Sequence, residues 1–317
     1  MLSRVADSLY WMSRYLERAE HTARLIGVGL TQILDQTPQA LAPRWERLLA
    51  ALHVEPPAGG LNDLQAITRQ LTTDANNPAS LIACVKLARE NARQVREQIS
   101  SEMWEQLNEF YLQVRATTIE QIWQEEPVEF YQMVKEQLHL FQGITDATMN
   151  HGEGWRFIQV GRYIERIWAT ALLLQVFFRP YLSQGEGAID TIDWVALLKS
   201  CTAFEAYCKV YTADVQPARI AEFLLLNAES PRSIRFAADQ LQDSLERIGQ
   251  LTGARHAARA ERLAGRLRAQ LDYGQVDEII AADLPLFLTQ IRQQCTAIHD
   301  AIYQAYISYP IEQALPR

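Results

Sequence analysis

Arg14-Tyr15-Leu16-Glu17-Arg18 returns, with one conservative change, as Arg162-Tyr163-Ile164-Glu165-Arg166. Two further signatures follow each copy in the same order. After the first come Trp45-x-x-Leu48-Leu49 and Asp74-Ala75-x-x-Pro78-x-Ser80-Leu81, and after the second come Trp194-x-x-Leu197-Leu198 and Asn227-Ala228-x-x-Pro231-x-Ser233-Ile234. The offsets are 148 (14 to 162), 149 (45 to 194) and 153 (74 to 227), so the register drifts only by small insertions. A spacing this long is that of a duplicated domain-sized unit, not of a solenoid repeat. The sequence therefore predicts two related halves, residues 1–150 and 151–317, fused into one body by a quasi-twofold arrangement in which the repeated charges meet.

Outward from the first copy, Leu2, Val5, Leu9, Met12, Leu16, Ala19, Ala23, Ile26 and Leu30 recur at steps of three and four, the stripe of a long amphipathic helix. The rest of the chain keeps that period, and no segment alternates as a strand would. Predicted helices cover 2–34, 42–53, 61–72, 78–100, 102–123, 127–149, 154–178, 191–212, 217–226, 231–250, 254–271 and 285–308. The fold class is all-α, two tandem helical-bundle halves packed together.

Composition narrows the function. Of 317 residues, 48% are hydrophobic and 21% charged, with a net charge of −8. Neither half carries the basic field that nucleic-acid binding needs, so no nucleic acid is expected as a partner. The longest uncharged apolar run, Ile167 to Phe178, is twelve residues. A membrane span needs about 20. The N-terminus lacks a basic segment followed by an apolar core, so neither signal peptide nor membrane association is expected, and the location is read as cytoplasmic. Cys84, Cys201, Cys208 and Cys295 form no CxxC pair and read as reduced thiols. The histidines show no paired metal spacing, and nucleophile elbows and phosphate loops are missing, so neither metal nor cofactor is expected.

The candidate residues are therefore charged groups. On a helix Arg14, Glu17 and Arg18 are neighbours, as are Arg162, Glu165 and Arg166. A single intrahelical pair is commonplace, but two copies point to an ion network at the boundary between halves. Arg89, Glu90, Asn91, Arg93 and Arg96 form an arginine stripe in the first half only. The second half has Gln242, Glu246 and Gly249 at the corresponding positions, so the stripe is not needed to build the repeat. A solvated face is the plain alternative; an anion clamp is the sharper one. Asn77 and Ser230 fit helix N-caps, with Pro78 and Pro231 as first helical residues. An anion could dock there, beside Ser80 or beside Arg232 and Ser233.

The opening from Met1 through Asp7-Ser8-Leu9-Tyr10-Trp11-Met12 to Arg14-Tyr15-Leu16-Glu17-Arg18-Ala19-Glu20 resembles the bacterial alpha-E family, long listed as a domain of unknown function. The resemblance continues through Asn77-Pro78-x-Ser80, Ala88-Arg89-Glu90-Asn91-Ala92-Arg93, Trp104-x-x-Leu107-Asn108 and Pro231-Arg232-Ser233, and it covers almost the whole chain. His21 departs from it, standing where relatives carry a smaller polar residue. The resemblance implies an all-helical fold encoded beside circularly permuted ATP-grasp ligases and transglutaminase-like peptidases. It thereby implies a peptide-modification setting, with one or both of those proteins as partners. The first expectation is a helical accessory protein of an ATP-grasp amidoligase, whose Arg/Glu cleft binds an anionic ligand such as phosphate, a peptide or the ligase. The alternative is an enzyme of the same pathway with Glu17 or Glu90 as acid/base. A third reading is a structural module that could self-associate, its repeated charges fixing register.

Overall fold

The computed structural model describes residues 1–32, 38–252 and 258–307. The predicted helix ends at 33–34, 254–257 and 308 lie outside the described residues. The described residues form fourteen α-helices and no strand: α1 (Ser3–Thr31), α2 (Pro38–Ala51), α3 (Leu64–Thr72), α4 (Leu81–Gln94), α5 (Ser101–Ala116), α6 (Ile119–Gln124), α7 (Pro127–Thr148), α8 (Glu153–Gln184), α9 (Thr191–Ser200), α10 (Phe204–Tyr211), α11 (Pro217–Leu226), α12 (Ile234–Thr252), α13 (Ala258–Asp272) and α14 (Val276–Ile302).

The two long helices that carry the quoted motifs, α1 and α8, pack directly on each other. Around them the neighbours repeat in order: α4 and α7 lie on α1, and α12 and α14 lie on α8. The bridging helices α5 and α13 close each set. Leu9, Met12, Ala19, Ala23 and Ile26 of α1 and Val160, Ile164, Ile167 and Ala171 of α8 belong to one continuous apolar cluster drawn from both sides of residue 150. Most of α1 is buried on all its faces, polar positions included. The polar face read from the sequence is therefore covered by protein and not by water.

Small residues set how closely α1 and α8 approach. Ser13 Oγ donates to the carbonyl of Ile158 at 2.5 Å. At the reciprocal place, a Cβ on Gly161 would collide with the carbonyl oxygen of Tyr10. Ser13 and Gly161 are 148 apart, as are Tyr10 and Ile158, so the contact on one side of the crossing is mirrored on the other.

Several boundaries differ from the sequence reading. Helix α4 starts at Leu81 with Ser80 as its N-cap, accepting from the Ala83 amide, so Asn77 is not the cap and Pro78 is not a first helical residue. Ser230 and Pro231 are corrected in the same way, because α12 starts at Ile234 and Ser233 accepts from the Phe236 amide. Both serines also donate back across six residues, Ser80 to Asp74 O and Ser233 to Asn227 O. The loops before α4 and α12 are thus folded turns pinned by the same device, and each proline sits inside a turn. In α14, predicted to begin at Pro285, helix already runs from Val276 and is broken at Asp283, whose carboxylate accepts from the Leu286 amide and so recaps the chain ahead of its second stretch.

The tight crossing gives a stability test. Gly161→Ala is expected to cost about 1–3 kcal/mol by overpacking against Tyr10. Gly143→Ala, with nothing within 4 Å of the added methyl, should gain about 0.5–1 kcal/mol because glycine is a poor helix interior residue. Denaturant unfolding of the two variants checks the contrast, and equal stabilities would mean that α1 and α8 do not touch there.

Candidate functional site

Glu17 and Glu165 project from α1 and α8 towards the opposite helix, and each takes the arginine that follows its counterpart. Glu17 accepts two bonds from Arg166, Nε to Oε1 at 2.7 Å and Nη2 to Oε2 at 2.8 Å. Glu165 accepts from Arg18 Nε at 2.7 Å and from Arg14 Nε at 2.7 Å. The Glu-Arg steps at 17–18 and 165–166 therefore exchange partners across the crossing. Both carboxylates are almost fully buried, at 2% and 3% exposure.

The surroundings of the two copies differ. Arg14 lies over the Trp11 ring and donates to the Tyr10 hydroxyl, which in turn bonds His299 Nδ1 of α14 at 2.8 Å. Its counterpart Arg162 reaches only Gln159, at 3.3 Å. Its place beside Glu17 is taken by Arg232, from the turn before α12, with Nη1 at 2.7 Å from Oε1. Arg232 also reaches Glu20, which is fully buried and pairs with Arg24, His139 and Gln142 as well. Arg166 Nη1 donates to the Pro231 carbonyl at 2.9 Å, tying that turn to α8.

Five guanidinium groups (Arg14, Arg18, Arg24, Arg166 and Arg232) thus pair with three carboxylates, Glu17, Glu20 and Glu165, and a sixth, Arg162, feels the charge of Glu17 and Glu20 while bonded to Gln159. Burial alone would push these carboxyls up. For Glu17, Arg166 and Arg232 more than offset it; for Glu20, Arg232 and Arg24 do; for Glu165, Arg14 and Arg18 do. All three are held below the usual carboxylate range. His21 moves the other way: burial, then Arg24 and Arg232, bring it down to about 4. Burial and the nearby Arg232 also bring Arg24 down, to about 10.

Beside this cluster lies a small pocket with room for about one water molecule (≈ 10 Å³), lined in part by Glu17, His21, Arg24, Arg166, Thr170, Ser200 and Arg232. His21 Nε2 and Arg24 Nε are buried without a hydrogen-bond partner.

The arginine stripe lies elsewhere. Arg89 donates to Asn108 at 2.8 Å and to Glu90 at 2.9 Å, and it stacks over Trp104 and Tyr111. Arg93 pairs with Glu90 and is otherwise exposed. Arg96 lies beyond the end of α4, in a 3₁₀ turn, with its guanidinium over Trp104, so it does not continue the helical stripe as the sequence reading had it. Asn91 turns back to the Leu87 carbonyl. Among the described residues, none of these shares a hydrogen bond or ion pair with the α1–α8 cluster. Of the loop candidates, Arg232 joins the cluster, whereas Asn77, Ser80 and Ser233 serve the two turns. Sequence reasoning missed Glu20, His21 and Arg24 as site residues. Their signal was an i,i+4 Glu–Arg pair one turn beyond Glu17.

Fold and site together define an all-helical protein built around reciprocal Glu–Arg pairs. The chain belongs to the Alpha-E family, whose model matches residues 1–307 and is described as a predicted alpha-helical domain with a conserved ER motif. It is also similar to uncharacterized proteins of Mycobacterium bovis and Mycobacterium tuberculosis, at 24% identity over 97% of this chain. The matched segment spans 37% of those relatives' own length. No solved structure matches. No helix among the described residues is long and apolar enough to cross a membrane.

These shifts predict how stability depends on pH. A histidine held below its unfolded value of 6.5 binds fewer protons when folded, so His21 makes the fold lose stability as pH falls from about 6.5 to about 4. His53 and His299, also lowered, act in the same direction. The depressed carboxyls add a second loss below about 4.5. Melting temperature should be flat between about pH 7 and 8, short of the range near 9 where the buried thiols of Cys84, Cys201 and Cys295, raised by burial, begin to weigh against the fold, and should decline below pH 7; His21→Asn should shallow the decline between pH 6.5 and 5. A wild-type protein as stable at pH 5 as at pH 7.5 would contradict this electrostatic picture.

Proposed function

We propose that this protein is a helical accessory component of an ATP-grasp amidoligase system, receiving an anionic group of the peptide substrate or of the ligase. The observation that carries the reading is the arginine surplus at the α1–α8 crossing. A cluster built only to hold two helices in register would balance its charges, whereas this one leaves guanidinium capacity uncommitted. The ligase setting comes from the family resemblance. The greater length of the mycobacterial relatives is in keeping with a unit that works alongside other domains.

The enzyme alternative is less well supported. Glu17 and Glu165 each accept two or more charged bonds and are held ionised, which makes them weak bases near neutrality. Glu90 is tied to Arg89 and Arg93. Positioning and clamping suit these groups better than proton transfer. We also read the exchanged Glu–Arg partners and the twin turns before α4 and α12 as support for an ancestral doubling of residues 1–150 into 151–317.

Apart from the cluster that receives the anionic group, we place the ligase's docking contact on a second face, the exposed Arg93 with Arg89 and Arg96 over Trp104. Arg93→Glu is expected to weaken co-purification with the neighbouring ATP-grasp ligase by about tenfold, the scale of one lost and one reversed charged contact, with unchanged helicity and melting. Undiminished capture of the ligase by that variant, with product still formed, would remove this face from the proposal. Turnover of peptide by the purified chain alone would favour the enzyme reading instead.

A further inference from the structure

We propose that the pocket lined by His21, Arg24, Thr170, Ser200 and Arg232 is a receptor for a single carboxylate at the end of a chain. This assignment deepens the reading above and rests on it only for the idea that the cluster receives an anion; it does not require the ligase.

Three independent features converge there. The first is unmet donor capacity. Arg24 and Arg232 both reach the same oxygen of Glu20, so two cations share one acceptor atom. Arg24 Nε and His21 Nε2 have no partner, although Arg24 is 3% and His21 8% exposed. Buried donors left without acceptors are costly, and natural structures leave few of them. The Thr170 and Ser200 hydroxyls line the same pocket and form no hydrogen bond among the described residues.

The second feature is charge. The site already holds an excess of guanidinium groups, and a guanidinium fork matches the planar, two-oxygen acceptor of a carboxylate. One bound carboxylate would give Arg24 an acceptor of its own. The third is size. At ≈ 10 Å³, room for about one water molecule, the pocket is far smaller than the roughly 300–1,000 Å³ that encloses a whole small molecule. It admits one carboxylate oxygen, with the rest of the group at the mouth, as at the end of a glutamate or aspartate side chain or at a peptide C-terminus. The Glu17 carboxylate in its wall would work against a second negative charge.

Binding should also take up a proton. His21 is faced by Glu17 and Arg24 on α1, by Glu165 and Arg166 on α8, by Cys201 just after α9, and by Arg232. The neighbouring arginines help to keep it neutral, and a carboxylate seated against it would favour the imidazolium form. Affinity is therefore expected to rise as pH falls from 8 to 6.

The test uses the full chain and four probes at fixed ionic strength: N-acetylglutamine for a C-terminal carboxylate, N-acetylglutamate α-amide for a side-chain carboxylate, N-acetylglutamine amide as the uncharged control, and inorganic phosphate. Calorimetric titration in two buffers of different ionisation enthalpy should show saturable binding of one or both carboxylates, with proton uptake, and none of the neutral control. Whichever of the two binds more tightly identifies the source. His21→Asn should abolish the proton uptake, and Thr170→Val with Ser200→Ala should weaken binding at least fivefold. Arg24→Gln should weaken it further; should that variant fail to fold, the other two still decide. No binding of either carboxylate, tighter binding of phosphate, or carboxylate affinity untouched in all folded variants would overturn the assignment. Lost ligase co-purification with intact carboxylate binding would instead count against the proposed partnership alone.

Discussion

The protein depends on two buried ion pairs that exchange partners across one helix crossing. Glu17 and Glu165 sit where solvent cannot stabilise their charge, and each is stabilised by an arginine of the other long helix. Taking such groups out of water costs several kcal/mol each, and well-packed apolar residues would often serve stability as well or better. What the pairs supply is register. Sliding either helix by one turn would leave two buried carboxylates and the buried Arg166 guanidinium unmatched. The close backbone approach at Gly161 and Ser13 lets side chains of ordinary length make both bonds at once.

The site proposed above lies where the two sides of the crossing differ. The two Glu–Arg steps are equivalent, but their flanks are not. Around Glu165 the additional cation is Arg14, enclosed by Trp11, Tyr10 and His299. Around Glu17 it is Arg232, brought in by the turn before α12, and that turn opens the small pocket. The counterparts of Glu20, His21 and Arg24, at the offset of 148, are Trp168, Ala169 and Leu172. The cationic corner therefore belongs to one side of the crossing only. The matched contacts hold the two long helices together, and the one unmatched corner carries the proposed site.

Much of the frame was legible from residue order. The apolar period announced helices, and the repeated pentapeptide marked which two would matter, because charged residues recurring together on equivalent faces imply a common environment. The turns were less legible. Asn-Pro and Ser-Pro both read as helix starts by local preference, yet the backbone makes one further turn first and lets Ser80 and Ser233 cap instead. A local propensity cannot register the six-residue return bonds to Asp74 and Asn227. The pocket was not legible at all. His21 and Arg24 lie on the flank of α1, where a solvated face and a buried one have the same pattern, and only the arrival of Arg232 from over two hundred residues away distinguishes them.

A double-mutant cycle tests the central claim most directly. Urea unfolding of wild type, Glu17→Gln, Arg166→Met and the double variant gives the coupling between the two side chains. A buried, doubly hydrogen-bonded pair should show about 1–3 kcal/mol of interaction energy, the double variant losing well under the sum of the two single losses. A coupling near zero, with both single variants close to wild type, would mean that the exchanged pairs do not hold α1 against α8.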